Sequence, residues 1–369
     1  MTANQAKPFQ PIRFLAAMAT GGLASAPYLF RETAALHGSL AAWATWASVL
    51  FIAVHYALTI GFFVQGRKWL MGPGLKTFRE DWTKSPQILM PLGALAMSIN
   101  VWVGPVRGIF PIVDSAMAIW APLLTIAWIM IAVVSLWTVT GLLTQVYAGA
   151  IEITKLGFVW LFPSLALGLV ATSGSFLAGM APLSWEAHVT GLGSAVAALA
   201  GLFVMAVMVP TVVRNQLRAQ ALPPQGGSYS ILNMIPTVAL YGIAFFHWSA
   251  YAEHWLGWNM KSAAGMVMLV TWAFATGYMV FGFRLLYKTI KTDLMQKNYV
   301  GNQWALSCVP IAWSVLTSLL QIALFPSMGW TVLAGVAIIA TAPVFILLVL
   351  RMTHCVGWRK SGSGAISCV

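Results

Sequence analysis

Apolar runs of about 20 residues recur almost from end to end of this chain, and each is long enough to cross a bilayer as a helix. Ten are read: Ile12 to Phe30, Leu40 to Val64, Ile88 to Gly108, Ile112 to Val139, Leu156 to Ala178, Val189 to Val213, Ile231 to Tyr251, Ser262 to Leu286, Gln303 to Phe325 and Trp330 to Leu350. Lipid offers no partner to backbone N–H and C=O groups, so such segments must satisfy them internally, as helices do. The expected fold is an all-α integral membrane protein. Composition agrees: 60% of residues are hydrophobic and 8% charged, against about 25% charged in a soluble domain. No stretch between the segments is able to bury a core of its own. One transmembrane domain over residues 1–351 is therefore expected, followed by a cytoplasmic tail, 352–369.

Charge sets the expected orientation. Of the 20 Lys and Arg, only Arg31, Arg107 and Lys261 fall on the side opposite the N-terminus, while the eight acids divide evenly. Basic residues accumulate in short cytoplasmic loops, which puts both termini in the cytoplasm and the protein in the inner, cytoplasmic membrane. The same rule accounts for the net charge of +12 through topology and contact with membrane lipid, so no nucleic-acid partner is expected. Cys308, Cys355 and Cys368 all lie away from the predicted external loops, which leaves no disulfide framework. Lys7, Arg13 and the small residues Ala24-Ser25-Ala26 imitate a signal peptide; retention is preferred, because cleavage removes the first member of a repeat.

That repeat is a proline near the start of alternate segments, followed by small or branched residues. Its copies are Met90-Pro91-Leu92-Gly93, Phe162-Pro163-Ser164-Leu165, Ile235-Pro236-Thr237-Val238 and Val309-Pro310-Ile311-Ala312, in segments 3, 5, 7 and 9. Segment 1 carries Thr20-Gly21-Gly22-Leu23 at a comparable depth. Proline removes a backbone donor and clashes one turn back, so each copy is expected to kink its helix. Irregular backbone at membrane depth is tolerated where it lines a cavity or is buried in protein. The repeat thus predicts five helical hairpins, odd helices lining a central pore and even helices outside. The alternative is that proline is simply commoner in membrane helices than in soluble ones.

Such a pore favours anions. Its cytoplasmic mouth is expected to be ringed by Arg67, Lys68, Lys76, Arg79, Lys84, Arg214, Arg218, Arg284, Lys288, Lys291 and Lys297, and no Asp or Glu lies deep in an odd segment. Interrupted helices present N–H groups and positive dipole ends. Hydroxyls of Ser164, Thr172, Ser173 and Thr237 are further candidate donors, or else satisfy their own helices. His55 and His247 lie within segments, as proton relays or as packing residues. Gly193, Ala197 and Gly201 form a small-residue face, suited to an oligomer contact or to packing within the chain. No ligand set, nucleophile–base pair or phosphate loop is found, so no metal, no cofactor and no enzymatic activity are expected.

Met18-Ala19-Thr20-Gly21-Gly22-Leu23, Leu161-Phe162-Pro163-Ser164-Leu165-Ala166, Ile235-Pro236-Thr237-Val238-Ala239 and Trp304-Ala305-Leu306-Ser307 leading to Pro310 together resemble the tellurite-resistance/dicarboxylate transporter family, which embraces bacterial tellurite-resistance proteins and plant slow-type anion channels. The resemblance implies a pore inside each subunit of a homotrimer, carrying chloride, nitrate, sulfite, tellurite or malate. It implies pore-lining roles for Thr20, Gly21, Gly22, Pro91, Gly93, Phe162, Pro163, Ser164, Thr172, Ser173, Pro236, Thr237, Cys308, Val309 and Pro310. Channel members of the family close the pore with a phenylalanine before the segment 9 proline. Here Val309, or Cys308, stands there, which leaves Val309 and Phe162 as gate candidates. A membrane anchor subunit of a respiratory oxidoreductase, using His55 or His247, is the competing class.

Overall fold

The computed structural model describes residues 9–35, 37–81, 84–220, 222–223, 227–296, 299–324 and 326–357. Lys7, Lys297, Cys368 and residues 358–369 of the expected tail lie outside them. Among the described residues there is no strand. Ten long helices occur: α1 (Phe14–Thr33), α2 (Gly38–Leu70), α3 (Met90–Val101), α4 (Met117–Tyr147), α5 (Phe162–Met180), α6 (Ser184–Ala219), α7 (Met234–Leu256), α8 (Lys261–Gln296), α9 (Ala305–Ala323) and α10 (Met328–Gly357). α3 continues through a π turn, Trp102–Val106, into Arg107–Ile109. Among the described residues nine of the ten, taken with the turns that adjoin them (Ser85–Ile109 for α3), are long and apolar enough to cross a membrane. α1 is not among them, because its 20 residues include Thr20, Gly21, Gly22, Ser25 and Pro27 and end on Arg31-Glu32-Thr33.

Burial alternates along the chain. The apolar spans built on α3, α5, α7 and α9 are 67–94% buried, against 22–33% for α2, α4, α6, α8 and α10. The second group turns Trp43, Leu50, Met130, Leu199, Val270 and Ile339 outward, as suits helices whose solvent is lipid. Helices α1, α3, α5, α7 and α9 touch in that cyclic order and the ring closes from α9 to α1. α2, α6, α8 and α10 each pack chiefly on the helix before them. α4 differs, lying more against α5 and α6 than against α3; the π turn and the small helix Pro111–Ser115 intervene between α3 and α4.

The small residues of α6 face inward. A methyl built on Gly193 would lie 2.6 Å from Trp128 Cη2, and one on Gly201 would collide with the Tyr241 hydroxyl. This face therefore packs within the chain, where Trp128 Nε1–H donates to Val170 O at 2.9 Å.

The proline repeat marks something other than the expected kinks. Five 3-10 turns, Pro11–Arg13, Ser85–Leu89, Phe158–Leu161, Ser228–Asn233 and Gly301–Trp304, lead directly into α1, α3, α5, α7 and α9. They touch one another in the same cyclic order as the helices they start. Pro91 and Pro163 are the second residues of α3 and α5, and Pro236 is the third of α7. In a first turn a proline costs no hydrogen bond and its fixed φ suits the helix. Three of the four prolines thus start helices, and only Pro310 is interior. The turns also consume backbone donors, since Met90 N–H bonds Gln87 O and Phe162 N–H bonds Val159 O.

Candidate functional site

Between the inner helices lies a cavity of about 140 Å³ whose lining comes from α1, α3 with its π turn, α5, α7 with the turn before it, and α9 alone. On α5 the lining residues are Leu165, Leu169, Thr172 and Phe176, and on α9 Cys308, Ile311, Ala312, Val315 and Leu319. These spacings of three and four select one helix face. Along α1 the lining runs from Leu15 to Leu29, about 21 Å at 1.5 Å per residue, which is most of a bilayer's hydrocarbon thickness. The walls are mainly Leu, Ile, Val, Met and Ala, with Ser25, Tyr28, Asn100, Thr172, Asn233 and His247 as the polar exceptions. Among the described residues no Asp, Glu, Lys or Arg lines the cavity.

Of the expected pore residues, Gly22, Thr172, Pro236 and Cys308 line this cavity. Gly93 stands just behind the wall, where an added methyl would meet Met18 Sδ at 3.0 Å and Leu169 Cδ1 at 3.2 Å. The others point elsewhere. Thr20 donates to Ala17 O at 2.8 Å, Ser173 to Leu169 O at 3.0 Å and Thr237 to Asn233 O at 2.6 Å, all within their own helices. Ser164 Oγ donates to Gly201 O at 2.9 Å and lies 2.9 Å from the Tyr241 hydroxyl, which donates to Ser164 O at 2.7 Å. Gly21 admits Met97 and His55, as Gly22 admits Ile311. Pro91 and Pro163 are buried in the helix starts, and Pro310 lines a different, outer groove. Both gate candidates, Phe162 and Val309, are wholly buried in the packing behind the wall.

Phe176, to which the sequence assigned no role, also lines the cavity. Phe176 stacks on His247, ring centroids 4.1 Å apart and planes within 20°. On its other side a methyl built on Gly104 would come within 3.3 Å of Phe176 Cε1. Gly104 and Pro105 sit in the π turn of α3, an irregularity that recurs at functional positions. The Gly104-Pro105 dipeptide was the available signal.

Buried polar groups without partners mark where a solute or water is needed. Asn233 is 1% exposed, and neither its Nδ2 nor its Oδ1 has a partner among the described residues; Asn100 Oδ1 is in the same condition. His247 touches Phe176 and Phe246 but makes no hydrogen bond to a described residue. His55 contrasts with it. Its Nδ1 lies 2.7 Å from Ala17 O and its Nε2 2.9 Å from Ser98 Oγ, so both nitrogens are engaged in joining α2 to α1 and α3.

The basic residues expected at the mouth, those described, are all exposed and none lines the cavity. They project from α2, α6, α8, the helix Pro73–Glu80 and the turn at Lys84. No protein-family model matches the chain, and no curated protein matches it.

Proposed function

We propose that this chain moves small anions across the cytoplasmic membrane along the axis of its five inner helices, as a ten-helix member of the tellurite-resistance/dicarboxylate transporter family. On this reading α1 is the tenth span, carried among its neighbours by packing more than by its own hydropathy. The helices form five pairs, both termini are cytoplasmic and three subunits assemble, each with its own path. One observation carries the reading: the long axial cavity takes its lining from all five inner helices and from no outer one.

Several features favour an anion as the solute. No carboxylate faces the path, as a cation route would need. The N-termini of the inner helices gather at one end, so the positive ends of their dipoles converge there. Donors come from side chains, the Asn233 and Asn100 amides and the His247 ring, and less from free backbone N–H groups, which the 3-10 turns already use. Apolar walls between such stations suit a poorly hydrated anion and gate by expelling water. Phe176 is the closing group, in place of Phe162 or Val309.

Purified protein in liposomes is expected to pass chloride, nitrate, sulfite or malate under a gradient. Absence of flux for every one of these, with the protein folded and inserted, overturns the reading. Of the two histidines offered to the anchor-subunit alternative, His55 has no nitrogen left for an axial bond, and a Soret band in the purified protein is the observation that would revive it.

A further inference from the structure

Outside the inner ring, α8, α9 and α10 part to leave an open groove of about 730 Å³, larger than the axial cavity. Pro310 in α9 and Pro343 in α10 both line it, and both lie inside their helices. Each removes a backbone donor from its helix where that helix lines the groove. Its walls are apolar, with Phe283, Tyr287, Leu306, Trp313, Val344 and Leu347 among them.

One end is different. There Tyr229 donates to Asp293 Oδ2 at 2.7 Å, and Gln303 and Arg351 complete the lining. Asp293 is 3% exposed and Arg351 8% exposed, so the carboxylate is turned into the protein. On the outer side of α8, Arg284, Lys288 and Lys291 each follow a lining residue, Phe283, Tyr287 and Ile290, by one position, and all three are exposed. The groove therefore joins a long apolar slot to a cationic edge. Along α8 it runs from Met279 to Asp293, about 21 Å, while one leaflet supplies about 15 Å of hydrocarbon. The surplus accommodates a glycerol and a phosphate.

We propose that this groove is a binding site for one anionic phospholipid of the leaflet that faces the basic ends of α8 and α10. One acyl chain lies against the walls carrying Pro310 and Pro343, and the phosphate meets Lys288 and Lys291, which flank the polar end of the slot. The occupant is a lipid because the slot opens sideways along spans that face lipid, and the cationic edge lies where head groups lie.

Native mass spectrometry of the detergent-purified chain, titrated with palmitoyl-oleoyl phosphatidylglycerol or phosphatidylcholine, tests this. The wild type is expected to hold one phosphatidylglycerol about tenfold more tightly than phosphatidylcholine. Ala340→Trp, at an exposed lining position, fills the slot and should weaken retention of both lipids about tenfold. Lys288→Gln with Lys291→Gln should keep one bound lipid and lose the preference. Equal affinity of the wild type for the two lipids, or Ala340→Trp binding as the wild type does, overturns the proposal. Should Ala340→Trp misfold, a cysteine at Val336 serves instead. Paramagnetic broadening of its label by a chain-labelled phosphatidylglycerol supports the site, and its crosslinking to a second copy overturns it.

Discussion

Phe176 and Val309 show how far a single position is legible from sequence in a buried membrane helix. α5 is buried nearly all round, so no polar stripe phases it. Its hydroxyls, which suggested an axial face, bond back to their own turns at Ser173 and across to Leu240 O at Thr172. Sequence names the helix and leaves its rotation open. Three substitutions separate Phe176 from Val309 as the gate. Phe176→Ala removes the ring between Gly104 and His247, and is expected to raise anion flux in liposomes about tenfold by easing the apolar neck. Gly104→Ala, pressing on Phe176 from the other side, should lower it. Val309→Phe has a different expected outcome: Val309 is fully buried behind the wall, so added bulk overpacks it. A loss of about 1–3 kcal/mol in stability is expected, read as a lower melting temperature in detergent, while the folded fraction keeps its flux. A blocked path with unchanged melting would put Val309 in the pore after all.

Helices and their beginnings were read better than their ends. All the apolar segments are helices, but α2, α6 and α8 run past the expected limits at Val64, Val213 and Leu286 to Leu70, Ala219 and Gln296. Those last turns carry Arg67, Arg218 and Lys291, and hydropathy stops at the first charges although the backbone does not. The proline repeat was legible as a pattern, yet its meaning depended on a hydrogen-bond register that sequence does not display. At Pro91, Pro163 and Pro236 the ladder changes from 3-10 to α spacing. Pro163→Ala is accordingly expected to change stability by less than about 1 kcal/mol, since no interior bond is restored. The joint between α5, α6 and α7 is more sensitive. Tyr241→Phe strips the hydroxyl that donates to Ser164 O and is set against Gly201, and should cost about 1–2 kcal/mol by removing a buried hydrogen bond. Thermal melting of the variant in detergent measures the loss.

Across the whole molecule, exposed charge and the axial cavity belong to different helices. Arg67, Lys68, Arg214 and Arg218 project from α2 and α6, while the cavity belongs to α1, α3, α5, α7 and α9 and carries no charged side chain. On the proposed anion function the basic rim would act at a distance, by raising the anion's concentration near the mouth, whereas Asn233 and His247, which line the cavity, would act by contact. Distance leaves a signature in salt. The Debye length falls from about 30 Å at 0.01 M to about 3 Å at 1 M, so a rim effect fades over that range and a contact effect persists. Arg214→Gln with Arg218→Gln is expected to reduce anion flux about threefold at low salt and to leave it unchanged at high salt. Asn233→Leu removes a buried amide with no partner among the described residues, and should reduce flux at both. Flux in liposomes over a salt series reads the two apart. If the arginine pair lowers flux equally at high salt, those side chains touch the permeating ion and the path extends into the outer helices. If Asn233→Leu leaves flux intact throughout, the inner station lies elsewhere on the axis.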